Sequence, residues 1–297
     1  MDQLLAIRAF SRVVETGNFT RAADSLRMPK ATVSKLVQTL ETHLGIQLLT
    51  RTTRRVAVTT EGKQYYDQST RLVKELEDID GSFATAKAKP RGHLRVEVGS
   101  SVASRILMPA LPSFLAAFPD VRIDFGVGDR PADVIADHVD CVIRGGPVTD
   151  TSLISRSIGT AQLETCATPA YLKQHGTPKH PRDLEQHRLV HYVSARSGRI
   201  LPMRFIVKRR TIEIDRAQVI GVNESNAHFA AGLAGAGIFQ TFTFLTDPAI
   251  ATGALTPLLE RFRPPPYPFH VAYAPNRHVS SRLRVFIDWV VTVFAKR

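Results

Sequence analysis

The sequence predicts an α/β protein with a helical N-terminal head, one long helix, and two successive runs of alternating strands and helices. Helical apolar periodicity dominates up to residue 88, and no proline interrupts residues 60–88. Beyond Gly92, short apolar runs typical of strands alternate with helical segments. With 297 residues and 43% hydrophobic side chains, the chain is long enough to bury two or three cores.

The head is predicted to contain three short helices. The first stops at Gly17 and Asn18, Thr20 is expected to cap the second, and Met28 and Pro29 end it. The apolar stripes of the first and third helices are Leu4, Ile7, Phe10, Val13 and Val14, and Val33, Leu36, Val37, Leu40 and Leu44. Two short helices joined by a tight break are typical of a helix-turn-helix.

The third helix also has a polar, basic face, opposed only by Glu41 near its end. This face consists of Lys30, Thr32, Ser34, Lys35 and Gln38. Cations and short hydrogen-bonding side chains suit DNA phosphates and base edges, so we expect the face to enter the major groove. The alternative is a small winged helical domain used for protein contacts, which the basic face disfavours.

A small basic wing is predicted after Gly45, where a cationic segment leads into the alternating sequence Val56-Ala57-Val58. Arg51, Thr53 and Arg54 of this wing are expected to hold phosphates or the adjacent minor groove.

An ordered series of short motifs runs through the head. They are Ala22-Ala23 with Leu26, Ala31 to Lys35, Leu40-Glu41 with Leu44-Gly45, Leu48-Leu49 with Arg51 and Arg54, and Thr59 with Gly62. In these motifs the sequence resembles the LysR-type transcriptional regulators, closely over residues 1–90 and more loosely beyond. The resemblance implies three partners: double-stranded promoter DNA, a small-molecule effector, and further copies of the chain in a homodimer or homotetramer.

The resemblance also implies a domain organisation. Residues 1–59 would form a winged helix-turn-helix DNA-binding domain, and residues 60–89 a linker helix for dimerisation. Residues 90–297 would form an effector-binding domain with two α/β lobes, similar to type II periplasmic binding proteins. The first lobe would span about residues 90–160 and 269–297, and the second about 161–268.

The long helix itself is predicted from Thr60 to about Ala88. Its apolar residues lie near heptad spacing: Tyr65, Tyr66, Leu72, Val73, Leu76, Ile79 and Phe83. A helix of roughly 40 Å cannot bury such a seam against so small a head, which favours a partner helix. The alternative is that it packs on its own domain.

Strands and helices alternate through the second half of the chain. Strands are predicted at 93–99, 121–127, 140–144, 163–167, within 189–193 and 203–207, and at 218–222, 237–240 and 269–273. Helices are predicted at 102–118, 133–137, near 169–174, at 224–234 and at 281–294. This alternation predicts mainly parallel sheets with the ligand at the carboxyl ends of the strands. The cationic run at 208–210 is interpreted as the tip of a hairpin.

Effector-binding candidates lie where predicted strands end. Ser100 and Ser101 lie before a helix in the first lobe, and Asn223 lies before a helix in the second lobe. Arg144 places a cationic side chain at the end of a strand. The family resemblance adds Gly128, with its neighbour Asp129, and Thr165. The alternatives are a helix cap for the two serines, an ion pair for Arg144 and a turn for Asn223. Glu224, beside Asn223, is expected to repel an anion or to receive an amine.

Other classes of function are disfavoured. There is no nucleophile elbow or phosphate loop, so neither an enzyme nor a cofactor is predicted. His175, His180, His187 and His191 are close in sequence but are interpreted as surface histidines because prolines separate them. Cys141 and Cys166 lie in apolar runs typical of strands, and their spacing does not match a redox pair.

The charge balance of 39 Lys and Arg against 27 Asp and Glu favours a polyanionic partner. Without a signal peptide or an apolar run long enough for a membrane span, a cytoplasmic location is expected. One alternative function is a two-lobed carrier or enzyme whose N-terminal helices serve only oligomerisation.

Overall fold

The structure, a computed structural model, describes residues 2–51, 56–83, 89–130, 134, 139–146, 151–215, 220–275 and 279–295. Its contacts separate two compact units, Met1–Lys87 and Ala88–Arg297. Outside the described residues lie the end of the predicted linker helix, the predicted helix at 133–137 apart from residue 134, and positions 218–219 of one predicted strand. Among the described residues, none of the helices combines the length and apolar character needed to cross a bilayer.

The first unit consists of helices and a two-stranded wing. Its elements are α1 (Gln3–Thr16), α2 (Phe19–Leu26), α3 (Lys30–Leu44), β1 (Leu49–Arg51), β2 (Val56–Val58) and α4 (Thr60–Phe83). The strands of the wing are antiparallel, with Leu49 opposite Val58. Gly17 and Gly45 end α1 and α3 in left-handed conformations, as glycine allows without a steric penalty.

The start of α2 differs from the prediction. Asn18, not Thr20, is the capping residue, and its Oδ1 accepts hydrogen bonds from Thr20 N at 2.7 Å and Arg21 N at 3.2 Å. Asn18 has an extended backbone, whereas Thr20 already lies within the helix. The chain therefore turns from one helix into the next over only Gly17 and Asn18. Pro29 precedes α3 and is not part of its first turn.

The core of the first unit is formed by the predicted stripes. Ile7, Phe10, Val13, Val33, Val37 and Leu40 are buried, while Leu4, Val14, Leu36 and Leu44 are partly buried. The first half of α4 packs on this core, with the rings of Tyr65 and Tyr66 at 6.0 and 6.5 Å from Phe10. Further along α4, Leu72 is 63% exposed and Leu76 is 38% exposed. The helix thus packs partly on its own domain and leaves apolar side chains uncovered.

The second unit contains two five-stranded sheets, each forming a lobe with its helices. The first lobe comprises β3 (Gly92–Val98), α5 (Ser100–Val102), a π-helical turn (Ala103–Leu107), α6 (Met108–Ala117), β4 (Val121–Val127), β5 (Cys141–Gly145) and β6 (Ile154–Ala161). The chain returns to it at the end with β14 (Tyr267–Tyr273) and α10 (Ser281–Ala295). Its strand order is β4-β3-β5-β14-β6.

The second lobe lies between these two passes of the chain. It comprises β7 (Leu163–Ala167), α7 (Pro169–His175), a 3-10 turn (Pro181–Gln186), β8 (Leu189–Tyr192), β9 (Met203–Val207), β10 (Arg210–Ile214) and β11 (Ile220–Val222). It continues with α8 (Ser225–Leu233), β12 (Ile238–Phe242), α9 (Thr243–Ala251), β13 (Thr256–Leu258) and a second 3-10 turn (Glu260–Phe262). Its main sheet has the order β11-β8-β12-β7-β13.

The prediction of mainly parallel sheets is wrong. In each five-stranded sheet, two strand pairings are parallel and two are antiparallel. Some of the antiparallel strands are absent from the prediction, notably β6, whose first four residues are exposed and largely polar. Such an edge strand lacks the apolar run that marks a buried strand. The strand β13 and the helix α9 also escape the pattern of the sequence.

Two smaller predictions are confirmed. Lys208 and Arg209 form the exposed tip of the hairpin between β9 and β10, with positive φ angles of 49° and 64°. Cys141 and Cys166 are fully buried strand residues, and burial raises the pKa of the Cys166 thiol.

Candidate functional sites

The polar face of α3 is largely open to solvent. Lys30, Thr32, Lys35 and Gln38 are exposed, and Ser34 is partly buried. The apolar stripe on the other side of the helix holds it against α1. The face therefore offers two cations and several hydrogen-bonding groups on a rigid helix, as a reader of the major groove requires.

The single acid expected to oppose this face is directed elsewhere. Glu41 Oε1 accepts hydrogen bonds from Leu48 N at 2.9 Å and Leu49 N at 3.0 Å. The carboxylate thus satisfies the backbone where the chain enters the wing. Among the described residues no ion pair joins this carboxylate to Lys30 or Lys35, so it does not neutralise the cations of the face.

The wing is joined to α4 by a close contact that explains the spacing of Thr59 and Gly62. The Thr59 hydroxyl donates to Gln47 O at 2.8 Å and accepts from Gly62 N at 2.9 Å. A Cβ on residue 62 would lie 2.0 Å from Leu48 O, so only glycine fits. Arg51 ends β1, but its side chain, like all of Thr53 and Arg54, lies outside what the structure describes.

A second candidate site is a cavity of about 280 Å³ between the two lobes. Its polar lining includes Ser101, Asp129 and Arg144 of the first lobe, and His191, Tyr192, Ser225, His228 and Gln240 of the second. Both lobes therefore contribute to one cavity, and the junction of two lobes is a common position for a small-molecule site.

The predicted effector residues are only partly brought together here. Ser101 and Arg144 line the cavity. Ser100 is buried and is not among the described lining residues, and the hydroxyl of Thr165 accepts a hydrogen bond from the lining residue Gln240 at 3.0 Å. Gly128 and Asn223 are not among the described lining residues. Gly128 N bonds to Val98 O at 3.0 Å, and Asn223 is exposed before α8.

Asp129 connects the two lobes next to the N-termini of helices α5 and α8. Its carboxylate accepts hydrogen bonds from Ser100 N in the first lobe and from Ser225 N and the Tyr192 hydroxyl in the second. Burial, followed by the charge of Asp129, raises the pKa of Tyr192, so its phenol stays protonated and can donate. Sequence reasoning named Asp129 only as the neighbour of Gly128, because its partners are distant along the chain.

Glu224 caps α8 and is not free to meet a ligand. Its two carboxylate oxygens accept from Asn226 N at 3.0 Å and Ala227 N at 2.7 Å. In the first lobe, Ser101 N donates to the Ser225 hydroxyl at 3.0 Å. The N–H groups that could have bound an external carboxylate at these helix ends are therefore already engaged by the protein itself.

Arg144 projects from β5 with its charge only loosely compensated. The guanidinium donates to Ile143 O and Arg130 O, both at 3.1 Å, and its ion pair with Glu97 is 4.0 Å long. Burial lowers the pKa of Arg144, although the nearby carboxylates of Glu97 and Asp129 oppose that effect. The alternative role considered for Arg144 was an ion pair with an acid. Arg144 does form such a pair with Glu97, but the pair is long.

The histidines do not form a metal site among the described residues. His191, however, is only 1% exposed and lines the cavity, so its interpretation as a surface histidine is wrong. It belongs to β8, whose first three residues are all buried, so both faces of this strand are covered. His228 is 2% exposed, its Nε2 lies 3.1 Å from Val190 O, and burial lowers its pKa.

An aromatic wall closes one side of the cavity. Phe242 of β12 lies 5.7 Å from Tyr267 and 5.2 Å from Phe269, ring centroid to ring centroid, and the last two belong to β14. A Cβ on Gly145 would lie 3.0 Å from the Tyr267 ring and 3.1 Å from that of Phe269. The wall therefore combines rings from both lobes and packs closely on the end of β5.

Comparison with protein families gives two matches. Residues 4–63 match the bacterial regulatory helix-turn-helix protein family of the lysR type, and residues 87–295 match the LysR substrate binding domain. An HTH-type transcriptional repressor of Pseudomonas aeruginosa is 34% identical over 303 residues, covering 100% of this chain and 93% of the relative. The transcriptional regulator CrgA of Neisseria meningitidis is 31% identical over 295 residues, covering 96% and 95%.

Solved structures of the same kind are similar along the whole chain. CrgA of Neisseria meningitidis, a LysR-type transcriptional regulator, has a TM-score of 0.64 at 29% identity, covering 97% of this chain and 98% of that one. The Vibrio cholerae virulence activator AphB has a TM-score of 0.62 at 26% identity, covering 97% and 98%.

Proposed function

This chain belongs to the LysR family of transcriptional regulators, and on that premise we propose that the α3 face is its DNA-reading surface and the interlobe cavity its effector site. The observation that supports the first assignment is the exposure of Lys30, Thr32, Lys35 and Gln38 on one rigid face while Glu41 is engaged elsewhere. Ser34 completes the face, and the wing residues Arg51, Thr53 and Arg54 would hold phosphates or the adjacent minor groove.

The quaternary structure is proposed to be a homodimer formed through residues 60–89, with two dimers pairing into a tetramer. Leu72 and Leu76 support this proposal because they are exposed apolar residues on a helix of about 36 Å. Two heads held by paired helices would match two half-sites of a pseudo-palindromic promoter.

Effector control is proposed to operate through the two lobes of residues 90–297. Ser101 and Arg144 would meet the ligand directly, and Ser100 and Thr165 would support the groups that do. Gly128 directly precedes Asp129, and Asn223 directly precedes Glu224, so both would have indirect roles. A ligand changes the spacing of the heads only to the extent that it binds one arrangement of the lobes more tightly than the other.

The main test is DNA binding by the Lys35→Ala variant to the region upstream of its own gene. We expect the affinity to fall several-fold and the slope of log K against log salt to become shallower by about one unit, because one phosphate contact is lost. The control Lys173→Ala removes an exposed lysine from α7 in the other unit and is expected to leave both quantities unchanged.

Two outcomes would contradict the assignment. Unchanged binding by Lys35→Ala would exclude this face of α3. A wild-type affinity independent of salt would favour the alternative function, a carrier or enzyme whose head serves only oligomerisation. We propose instead a regulator without enzymatic activity that acts in the cytoplasm, where promoter DNA is found.

A further inference from the structure

We infer that the interlobe cavity selects an organic acid with one carboxylate and a flat apolar ring, the carboxylate pairing with Arg144 and the ring lying on Phe242, Tyr267 and Phe269. This inference rests on the proposed effector site and adds the chemical class of the ligand. It depends on where the cavity offers charge, where it offers apolar surface and how much room it has.

The helix ends, which the sequence suggested as the anion site, are already filled. Asp129 accepts from Ser100 N and Ser225 N, and Glu224 accepts from Asn226 N and Ala227 N. A ligand carboxylate placed there would have to displace a carboxylate of the protein and would face its charge. The anion must therefore be held elsewhere.

Arg144 is the better of two cations at the cavity. Arg204 also lines it, but that side chain is half exposed and already bonds to Glu213 at 3.0 Å. Arg144 is only 28% exposed, and its ion pair with Glu97, at 4.0 Å, is too long for a hydrogen bond. A ligand carboxylate at hydrogen-bonding distance would give this partly buried guanidinium the direct charge-assisted hydrogen bond that Glu97 does not make at 4.0 Å.

The remaining surface suits an apolar ring. Phe242, Tyr267 and Phe269 form the aromatic wall, and Leu163 and Met203 add aliphatic surface. The volume of about 280 Å³ exceeds the roughly 150 Å³ that suffices to hold benzene, so a ring with one carboxylate fits. A second carboxylate at the far end of the ring would be desolvated against apolar groups, which is unfavourable.

The same arrangement makes the ligand sensitive to lobe closure. Phe242 belongs to the second lobe, whereas Tyr267, Phe269 and Arg144 belong to the first. A ring that lies on this wall contacts both lobes at once only when they are together. The bound acid therefore favours the closed arrangement of the lobes.

The test measures calorimetric binding to the full-length protein with benzoate, benzamide and terephthalate as probes. We expect benzoate to bind. Benzamide and terephthalate should bind at least about tenfold more weakly, because benzamide has no negative charge and terephthalate carries a second carboxylate. Arg144→Gln is expected to weaken benzoate binding by about tenfold or more, and Arg144→Lys by less. The matched control Arg122→Gln, at an exposed position of β4 outside the cavity lining, should change it by less than about twofold.

Trp289, the single tryptophan, lies in α10 and reports whether each variant still folds in the second unit. If Arg144→Gln does not fold, the benzoate affinity of Arg144→Lys is compared with that of the wild type instead. Absence of benzoate binding, equal binding of benzamide or terephthalate, or unchanged binding by a folded Arg144 variant would overturn the inference. Retained DNA binding in that case would leave the proposed function intact, whereas loss of DNA binding with benzoate still bound would refute only the proposed function.

Discussion

The carboxylate of Asp129 in the first lobe accepts a hydrogen bond from the Tyr192 hydroxyl of the second lobe at 3.1 Å. The same carboxylate holds the first N–H of α8 through Ser225. One side chain therefore ties a strand and a helix of the second lobe to the end of a strand in the first.

Removing the Tyr192 hydroxyl should weaken the second unit. For Tyr192→Phe we expect the free energy of unfolding to fall by about 1–3 kcal/mol, because a hydrogen bond to a charged acceptor is lost in a partly buried place. Urea unfolding followed by Trp289 fluorescence measures this. Tyr273→Phe is the control, since the described structure gives that hydroxyl no hydrogen bond. Equal effects of the two variants would contradict the role of Tyr192.

Gly62→Ala should destabilise the first unit. Its Cβ would lie 2.0 Å from Leu48 O, a backbone atom that cannot move away easily. We expect a loss of more than about 2 kcal/mol, against about 1 kcal/mol for the control Gly45→Ala, which has space around it but a φ of +67°. Thermal unfolding by circular dichroism compares them. If Gly62→Ala is no worse than Gly45→Ala, the close approach of Leu48 does not limit this position.

Acid should destabilise the second unit through His228. Because burial lowers the pKa of His228 below its ordinary value of 6.5, the unfolded chain binds the proton more readily than the folded one. Stability is therefore complete above pH 6.5 and falls as the pH drops below it. His187, whose pKa burial also lowers, contributes in the same direction.

His228→Gln should make this pH dependence shallower without abolishing it. The measurement is the urea midpoint from Trp289 fluorescence at about pH 7.5 and 5.5, on either side of the ordinary histidine pKa. His43→Gln, at an exposed position of α3, is the control. A wild-type midpoint that does not change over this range would show that His228 titrates normally.

Leu72→Glu should weaken self-association. Leu72 is 63% exposed, so a charge there should leave the fold of the first unit unchanged but oppose burial against a partner helix. Sedimentation velocity is expected to show a smaller species. Lys63→Gln makes the same change in net charge at an exposed position nine residues earlier, which lies on the opposite side of the helix. An unchanged oligomer in Leu72→Glu, or dissociation in both variants, would argue against this seam as the interface.

Much of the chain could be predicted because its information is local. The stripe through Val33, Val37 and Leu40, the stop at Gly45 and the wing pair follow from periodicities within a few residues. The cap of α2 was misplaced by two residues because Asn18 and Thr20 are both good capping residues. The choice between them depends on where the preceding helix ends.

The sequence by itself determined the family, the order of the domains and the basic face of α3. Only the tertiary structure decided the mixed sheets and the occupants of the helix ends. Asp129 is 96 residues away from Ser225 in sequence, and no local pattern indicates that they meet. Strand partners and long-range hydrogen bonds depend on how distant segments pack. The sequence therefore showed which side chains were present. It did not show that the protein's own carboxylates accept from the helix-end N–H groups that were expected to bind a ligand.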